Sequence, residues 1–596
     1  MWVGGQTNVF SEKRFRERVR FISFLFAVGY ALIGLRLFYL QVIRGDALSQ
    51  LSESNRTQLI FFRAPRGDIY DRKGRLLVTN RPSWSLMYSV PQKTTASQEQ
   101  VVAQLDPFMK QFPRHWAGRV QRAFKTKQMI RLAEDVPDNI SFGLQELGEL
   151  VPGLQVVMEF RRGYLSQASA GHVLGYLGEI NEREMRDDQW SDRKLGDLIG
   201  KIGVEKVLDR DLRGSDGGML IEVDSVGRLK RVIKELPSQK GASVQLTIDL
   251  DMQRAAREAL EATPTKRGAA IAVDVNTGAI LTWVSAPSFD PGGSLAEDVI
   301  DPNLPFLDRV YKGSYPPGSI YKILTAIAAL ENRNINFTER VTCIGYTSLM
   351  DKKNVEKRYG CWKVHGSVDF WEAMANSCNC YFYMLGHRVG PDAIRNVSSA
   401  FGLGEPSQKI FPGETVGTIP SPAWKKKKGW GGWSTGDTFN MSIGQGFITS
   451  TPIQMVEMTV ALANRGTIWN PYLVDKMIDA QGKVIFQSSK SVRKQVQLKD
   501  STWDVILRSM RGVVAGGTGG ATNIPYLDVR GKSGTAQNPH GETHAWFVAL
   551  AGYPGEKPLV AVCVFVENGG GGGGVAAPVV RKILEMALPE RPVKNV

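Results

Sequence analysis

The sequence predicts an α+β protein: an antiparallel sheet sandwiched by helices, on an elongated mixed pedestal domain, with one N-terminal transmembrane helix. Three observations predict it. Residues 21–43, FISFLFAVGYALIGLRLFYLQVI, form one apolar run. Residues 44–240 are charged and built of short mixed elements. Residues 241–596 open with strands and a helix, close with strands and a helix, and are mostly helical between. A chain of 596 residues is longer than one core ordinarily supports, so several domains are expected.

A run of this length crosses a bilayer as one helix, which takes about 20 apolar residues. Its only charge is Arg36, near the far end, where a long side chain can reach the interface. Just before it, KRFRERVR carries five basic residues and one acid. The positive-inside rule then leaves residues 1–20 in the cytoplasm and everything after residue 44 outside. A cleaved signal peptide is the rival reading. The run is too long for a typical signal core, and no A-x-A site follows it.

In the middle region, RAPRGDIYDRKGRLLVTN, residues 63–80, predicts strand, turn at Asp71-Arg72-Lys73-Gly74, strand. VDSVGRLKRVI, from Val223, predicts a second hairpin. From Ser243 the pattern is a strand and then an amphipathic helix. Next come two apolar strands around Asn276-Thr277-Gly278, a hairpin turn. Near the end, LDVRGKSGTAQ, HAWFVALAGY and LVAVCVFVE predict successive strands, and AAPVVRKILEMAL a closing helix. The six glycines 569–574 predict a loop with no necessary role.

Net charge is +15, which suits an anionic membrane surface, an anionic polymer or nucleic acid. The basic residues are spread along the chain and no nucleic-acid fingerprint occurs, so nucleic acid is not an expected partner.

The chemistry begins at YKGSYPPGSIYKILTAIAALE, residues 311–331. A Gly- and Pro-rich loop runs into an apolar helix, with Ser319 and Lys322 at the junction. Residues three apart share a helical face. Serine is a weak nucleophile until a base takes its proton. A lysine among apolar neighbours loses its preference for the charged form and can be that base. The same spacing occurs at Ser191–Lys194 and Ser491–Lys494, in polar stretches with no apolar helix behind them; these read as chance. Two companions follow the first tetrad. Ser377-Cys378-Asn379 is an S-x-N behind the helical VDFWEAMA, and Lys532-Ser533-Gly534-Thr535 stands on a predicted strand.

S-x-x-K, S-x-N and a K-T-G-like triplet, in this order, resemble the signature of penicillin-binding proteins and class A β-lactamases. APRGDIYDRKGRLL resembles the membrane-proximal hallmark of the class B, single-anchor type. FRRGYLSQASAGHVLGYLGEI, GKIGVEKVLDRDLRG and SPAWKKKKGWGGWSTGDTFNMSIGQG resemble its elongation branch, penicillin-binding protein 2. Ser-Ile-Tyr-Lys stands where Ser-Thr-Phe-Lys is frequent, and Ser533 where Thr is commoner; neither change removes a required group.

The resemblance implies a serine penicillin-recognising transpeptidase fold and a peptidoglycan D,D-transpeptidase inhibited by β-lactams. It implies Ser319 as nucleophile, Lys322 as base, Ser377 as proton relay and Asn379 as the residue fixing Lys322 and the substrate amide. Lys532 would supply positive charge near the substrate carboxylate. Ser533 and Thr535, with Gly534 between them, would bind that carboxylate, and the backbone N–H groups of Ser319 and Thr535 would form the oxyanion hole. The implied partners are stem peptides on lipid-linked glycan strands, a RodA-type polytopic glycosyltransferase, and elongation-complex proteins on the pedestal. The domains would be a tail 1–20, a span 21–43, a pedestal 44–240 and a transpeptidase domain 241–596. A β-lactamase, a β-lactam sensor, a division-type transpeptidase and an idle scaffold are the alternatives. No loop for a second, water-activating base is evident.

Five cysteines remain: Cys343, Cys361, Cys378, Cys380 and Cys563. Cys563 reads as a buried strand residue. An oxidising exterior allows a Cys343–Cys361 disulfide. Cys343, Cys361, His365 and Cys378 also make a tetrahedral zinc set, and the resemblance implies a metal in this region. Free thiols are the third possibility. The lysines 425–428 read as a solvated basic loop, and NMSIGQGFITSTP as a packing segment, with Gly444 and Gly446 allowing close approach.

Overall fold

A 30-residue helix, Val9–Phe38, opens the structure and continues through a π turn, Tyr39–Ile43. The computed structural model describes residues 9–592 apart from 47, 49–56, 92–95, 111, 113–114, 127–128, 166, 195, 224–228, 294, 333–334, 351–354 and 540. Over Arg14–Ile43 this helix is long and apolar enough to cross a membrane, and none of its most apolar stretch is buried. Among the described residues no other helix meets both conditions. This helix begins well before residue 21 because the basic segment is also a good helix former. Arg36 lies 5.5 Å from the Tyr39 ring centroid.

By its packing the chain divides into residues 1–64 with 215–239, and residues 65–214 with 240–596. In the first unit, Thr57–Phe62, Gly217–Val223 and Leu229–Leu236 form a three-stranded antiparallel sheet. The last two strands are the hairpin expected from Val223; its turn, 224–228, lies outside the described residues.

In the second unit, the hairpin at Gly74 forms as expected: Ile69–Tyr70 pairs with Leu76–Tyr88. These strands belong to a seven-stranded mixed sheet. Ser243–Leu246 runs parallel to Ile69–Tyr70 and antiparallel to Val474–Ile478. A segment late in the chain therefore completes a sheet begun near the N-terminus, a pairing that no local pattern announces.

The elements that carry the site are labelled from α1, Leu250–Glu261. They are β1 Gly268–Asp274, β2 Ile280–Ala286, α2 Lys322–Glu331, α3 Asn379–Ala400, α4 Pro452–Ala463, α5 Asp500–Gly516, β3 Asp528–Ala536, β4 His544–Gly552, β5 Val560–Val566 and α6 Ala576–Ala587. The strands form one sheet in the order β2-β1-β5-β4-β3, antiparallel throughout. Every residue of β4 and β5 is buried, so these strands read as continuous apolar runs.

Alternate residues face opposite cores. Ala270, Ala272, Val562, Val564 and Phe547 pack with Met252 of α1 and Ile583 of α6. Ile271, Cys563, Phe565, Val548 and Trp546 pack into the larger core with Met455 of α4 and Ile323 of α2. This is the expected sheet between helical layers, and Cys563 is the buried strand residue it was read to be. Between β2 and α4 the chain is less purely helical than expected: Tyr346–Met350 pairs with Glu356–Gly360, and Val341–Cys343 with Gly366–Val368.

Candidate active site

Ser319 lies in one 3-10 turn, Gly318–Tyr321, that runs into α2. In such a turn residues i and i+3 eclipse, which stacks Lys322 over Ser319. The turn abuts β3 because residue 318 is glycine: its φ is +55°, and a Cβ there would lie 2.7 Å from Thr535 O. Gly318 N–H donates to Gly444 O at 3.0 Å, the close approach expected of the 440–452 segment.

The S-x-N sits between two helices. Asp369 and Glu372 form a capping box on Phe370–Ala375, and Cys378 is the N-cap of α3. Ser377, in the connection, has φ +56°, a left-handed backbone uncommon for serine. That bend points both Ser377 Oγ and its carbonyl at Lys322.

Lys322 Nζ donates to Ser377 O at 2.8 Å, Asn379 Oδ1 at 2.6 Å and Ser377 Oγ at 3.2 Å. These bonds run to the S-x-N turn. Lys532 Nζ, from β3, donates to Ser377 Oγ at 3.0 Å and to Ser533 O at 3.1 Å. Both lysines have zero exposure. Burial pushes Lys322 down to about 8, and neighbouring cysteines partly oppose the fall. Burial, then the Lys322 charge, holds Lys532 well below the ordinary lysine range. Neither lysine touches a carboxylate, and for both the burial outweighs what favours the charged form.

Asn379 is held from its other side: its Nδ2 donates to Gly360 O at 2.9 Å and its backbone N–H to Cys361 Sγ at 3.2 Å. Cys361 belongs to a cluster with Cys343, His365 and Cys378 whose ligand atoms all lie within 4.8 Å of one another. No disulfide joins these cysteines. His365 Nε2 lies 3.2 Å from Asn376 O, a group that only accepts, so Nε2 carries the ring proton. The Nδ1 lone pair then faces Cys343 Sγ at 3.5 Å and Cys361 Sγ at 3.4 Å. Three sulfurs and one correctly tautomerised imidazole nitrogen fit a tetrahedral zinc, whose second ring nitrogen ordinarily bonds a carbonyl in this way.

One expectation needs correction. Lys425 is not solvated: it is buried on the helix Pro422–Lys427 and pairs with Asp437 at 2.6 Å, while Lys426–Lys428 are exposed. Ser533 Oγ lies 2.6 Å from Thr518 Oγ1. Sequence reasoning also missed Gly360, which orients Asn379, and Gly572, whose N–H donates to Thr535 Oγ1 at 3.3 Å. The glycine run supplies that second contact; its only signal was its proximity to the last strands.

The chain is similar to known proteins over nearly its whole length. Residues 268–585 match the model of the penicillin-binding protein transpeptidase domain, and residues 62–246 that of the penicillin-binding protein dimerisation domain. The chain is 31% identical to peptidoglycan D,D-transpeptidase MrdA of Haemophilus influenzae, over 98% of this chain and 93% of that protein. The chain is a class B penicillin-binding protein. MrdA of Acinetobacter baumannii is 30% identical over 96% of this chain and 88% of its own length.

Among solved structures, penicillin-binding protein 2 of Pseudomonas aeruginosa, in complex with WCK 5153, superposes with a TM-score of 0.64 at 30% identity. It covers 90% of this chain and 97% of that one. The Helicobacter pylori protein, at 24% identity and a TM-score of 0.73, shows the same fold over 89% of this chain and 99% of its own. The penicillin-binding protein described here is a serine-type peptidoglycan D,D-transpeptidase of the elongation branch. The β-lactamase and sensor alternatives are not favoured.

Proposed function

We propose that Ser319, Lys322, Ser377, Asn379 and Lys532 carry the transpeptidation. The observation that supports this most is the meeting of two buried lysines on one hydroxyl, Ser377 Oγ. As an ammonium, Lys322 has three protons for three acceptors. Deprotonated, it keeps two, and the two carbonyl oxygens at 2.8 and 2.6 Å can only accept. The lone pair therefore takes the third direction, towards the hydroxyls.

Ser319 Oγ attacks the penultimate D-Ala carbonyl carbon and its proton passes to Lys322. The oxyanion meets the N–H groups of Ser319 and Thr535. Lys322 returns the proton through Ser377 Oγ to the departing D-Ala amine as the C–N bond breaks, leaving an ester on Ser319. The amine of a second stem peptide attacks that ester; its proton goes to Lys322, and Ser319 Oγ leaves and is reprotonated. Lys532, Ser533 and Thr535 hold the donor's terminal carboxylate. An adduct of one penicillin, mapped to Ser319 by mass spectrometry, lost in Ser319→Ala and slow to hydrolyse, supports this assignment. An adduct on Ser377 contradicts it.

Cys343, Cys361, His365 and Cys378 would hold one structural zinc. Bound there, it would supply no acid or base; it would hold Cys361, whose sulfur accepts from the Asn379 backbone. The basic segment before the span supports a cytoplasmic N-terminus and a periplasmic or extracellular catalytic domain. The substrate is the stem peptide of nascent, lipid-linked glycan strands. One related structure is described as a complex with MreC and another as a peptidoglycan synthase complex that coordinates polymerisation and cross-linking. Elongation-complex proteins on the pedestal, and a RodA-type glycosyltransferase meeting residues 21–43 and the segment RAPRGDIYDRKGR, are the corresponding partners here. Exchange of the span for an unrelated anchor should weaken co-purification and lower glycan polymerisation, while Ser319 still reacts with penicillin.

A further inference from the structure

The lysine run at 425–428 and the glycines behind it build a surface that the chemistry at Ser319 does not use. The helix Pro422–Lys427 ends in a closed turn. Trp430 N–H donates to Lys425 O at 3.3 Å and Gly429 N–H to Lys426 O at 3.0 Å, with Gly429 at φ +74°. This pair of bonds is the Schellman closure; glycine permits it, and it fixes the residue that follows. Trp430 is therefore held in place although it is 54% exposed.

Its ring is backed by two others. The Phe447 ring lies 5.3 Å away between centroids and 31° from parallel, and the Trp424 ring 5.4 Å away, edge-on at 84°. Lys425 Nζ, paired with Asp437, sits 5.4 Å from the Phe447 centroid and braces the cluster from within. Asp437, the one acid of residues 421–450, is taken up by Lys425, so the exposed Lys426–Lys428 give the rim of the surface a positive charge.

Phe447 also fixes where this surface lies. It follows Gly444, whose carbonyl accepts from Gly318 N–H, and Gln445, whose Nε2 donates to Thr535 O at 3.4 Å. Three residues of backbone, from Gly444 to Phe447, span at most about 11 Å. A stem peptide of about four residues, extended from its sugar to the carbonyl that Ser319 attacks, spans roughly 14 Å. The sugar of a bound donor strand and the aromatic cluster thus lie at comparable distances from Ser319.

We propose that Trp430, backed by Phe447 and Trp424 and rimmed by Lys426–Lys428, is a docking surface for the glycan backbone of the substrate strand. The C–H-bearing face of an aminosugar ring is apolar and packs flat on an indole. Carboxylates of the stem peptides on the same strand meet the lysines. The inference rests on the reading of this protein as a transpeptidase acting through Ser319.

The test measures binding of two uncross-linked glycan preparations to the full-length protein in detergent: strands that carry stem peptides, and the same strands stripped of them. Trp430→Ala should weaken binding of both about tenfold, the ordinary cost of truncating a tryptophan at a contact. Trp430→Phe, which keeps an aromatic face, should retain most of the affinity. Lys426→Gln, Lys427→Gln and Lys428→Gln together should weaken only the strands that carry stems and flatten their salt dependence. Stripped strands bound as tightly by Trp430→Ala as by wild type would overturn the proposal. Equal losses in Trp430→Ala and Trp430→Phe, with a lowered Tm in both, would mark a structural role and overturn it too. Loss of binding to phosphatidylglycerol vesicles in Trp430→Ala, with strand binding intact, would make the surface a membrane contact, again against the proposal. If wild-type protein binds neither strand yet forms the penicillin adduct on Ser319, the docking surface falls and the transpeptidase assignment stands. If that adduct does not form, the assignment falls and takes this inference with it.

Discussion

Two serine–lysine tetrads of the same spacing have opposite fates in this molecule. At Ser319–Lys322 the lysine has zero exposure, and its three acceptors are a carbonyl, a hydroxyl and an amide oxygen. At Ser491–Lys494 the lysine is about one-third exposed, and it reaches Ser399 O at 2.7 Å and the Glu405 carboxylate at 3.3 Å. A neighbouring carboxylate and water both favour ammonium; burial among neutral acceptors favours the amine. The difference teaches that spacing makes a motif, and the dielectric and the charge of its neighbours make a base.

The strongest way to break this comparison is to remove each lysine in turn. Lys322→Met should slow penicillin acylation by about 10²–10⁴-fold, the share of a positioned general base. Lys494→Met should leave it unchanged. Equal losses would mean that the two tetrads do not differ as described; stopped-flow acylation rates decide.

A sharper test gives the first tetrad the neighbour that the second one has. Asn379→Asp puts a carboxylate where Asn379 Oδ1 now lies, 2.6 Å from Lys322 Nζ. The lysine pKa should rise and the rate at pH 7 should fall about tenfold for each unit of rise. Activity should return at higher pH. A loss with no movement of the pH profile would show that Asn379 acts only through substrate contact.

Metal removal probes the same lysine from further away. A chelator should lower Tm by several degrees, because a structural zinc contributes folding free energy, and should slow acylation by loosening Asn379. Elemental analysis showing no zinc in active protein would remove this arm. The smallest effect belongs to a third lysine. Lys425→Met strands Asp437, which is largely buried, and should cost about 1–3 kcal/mol in urea unfolding, with acylation of the folded protein unaltered.

Much of this was legible in the chain itself. The apolar run, the hairpin glycines and the buried strands around Cys563 follow from local composition. The three motifs named residues that the fold brings together, since each motif carries its own helix start or strand. Thr518, Gly360 and Gly572 were not legible. Each meets the motifs through a backbone group or one hydroxyl, and only across the fold. The path of Val474–Ile478 into the pedestal sheet was hidden likewise, because strand partners are a tertiary choice. Lys425 was misread because a run of four lysines looks solvated unless Asp437, twelve residues on, is known to fold back onto it.

Acylation by this geometry requires Lys322 to be a neutral amine when Ser319 loses its proton. The electrostatic neighbours of Lys322 are Lys532 of β3 and the cysteines Cys343, Cys361, Cys378 and Cys380. The limiting rate of Ser319 acylation by penicillin should follow the neutral fraction of this group. It should rise about tenfold per pH unit from pH 6 and level off above about 8, the value to which burial lowers Lys322. A rate independent of pH over that range, or a midpoint near the ordinary lysine value of 10.5, would contradict it.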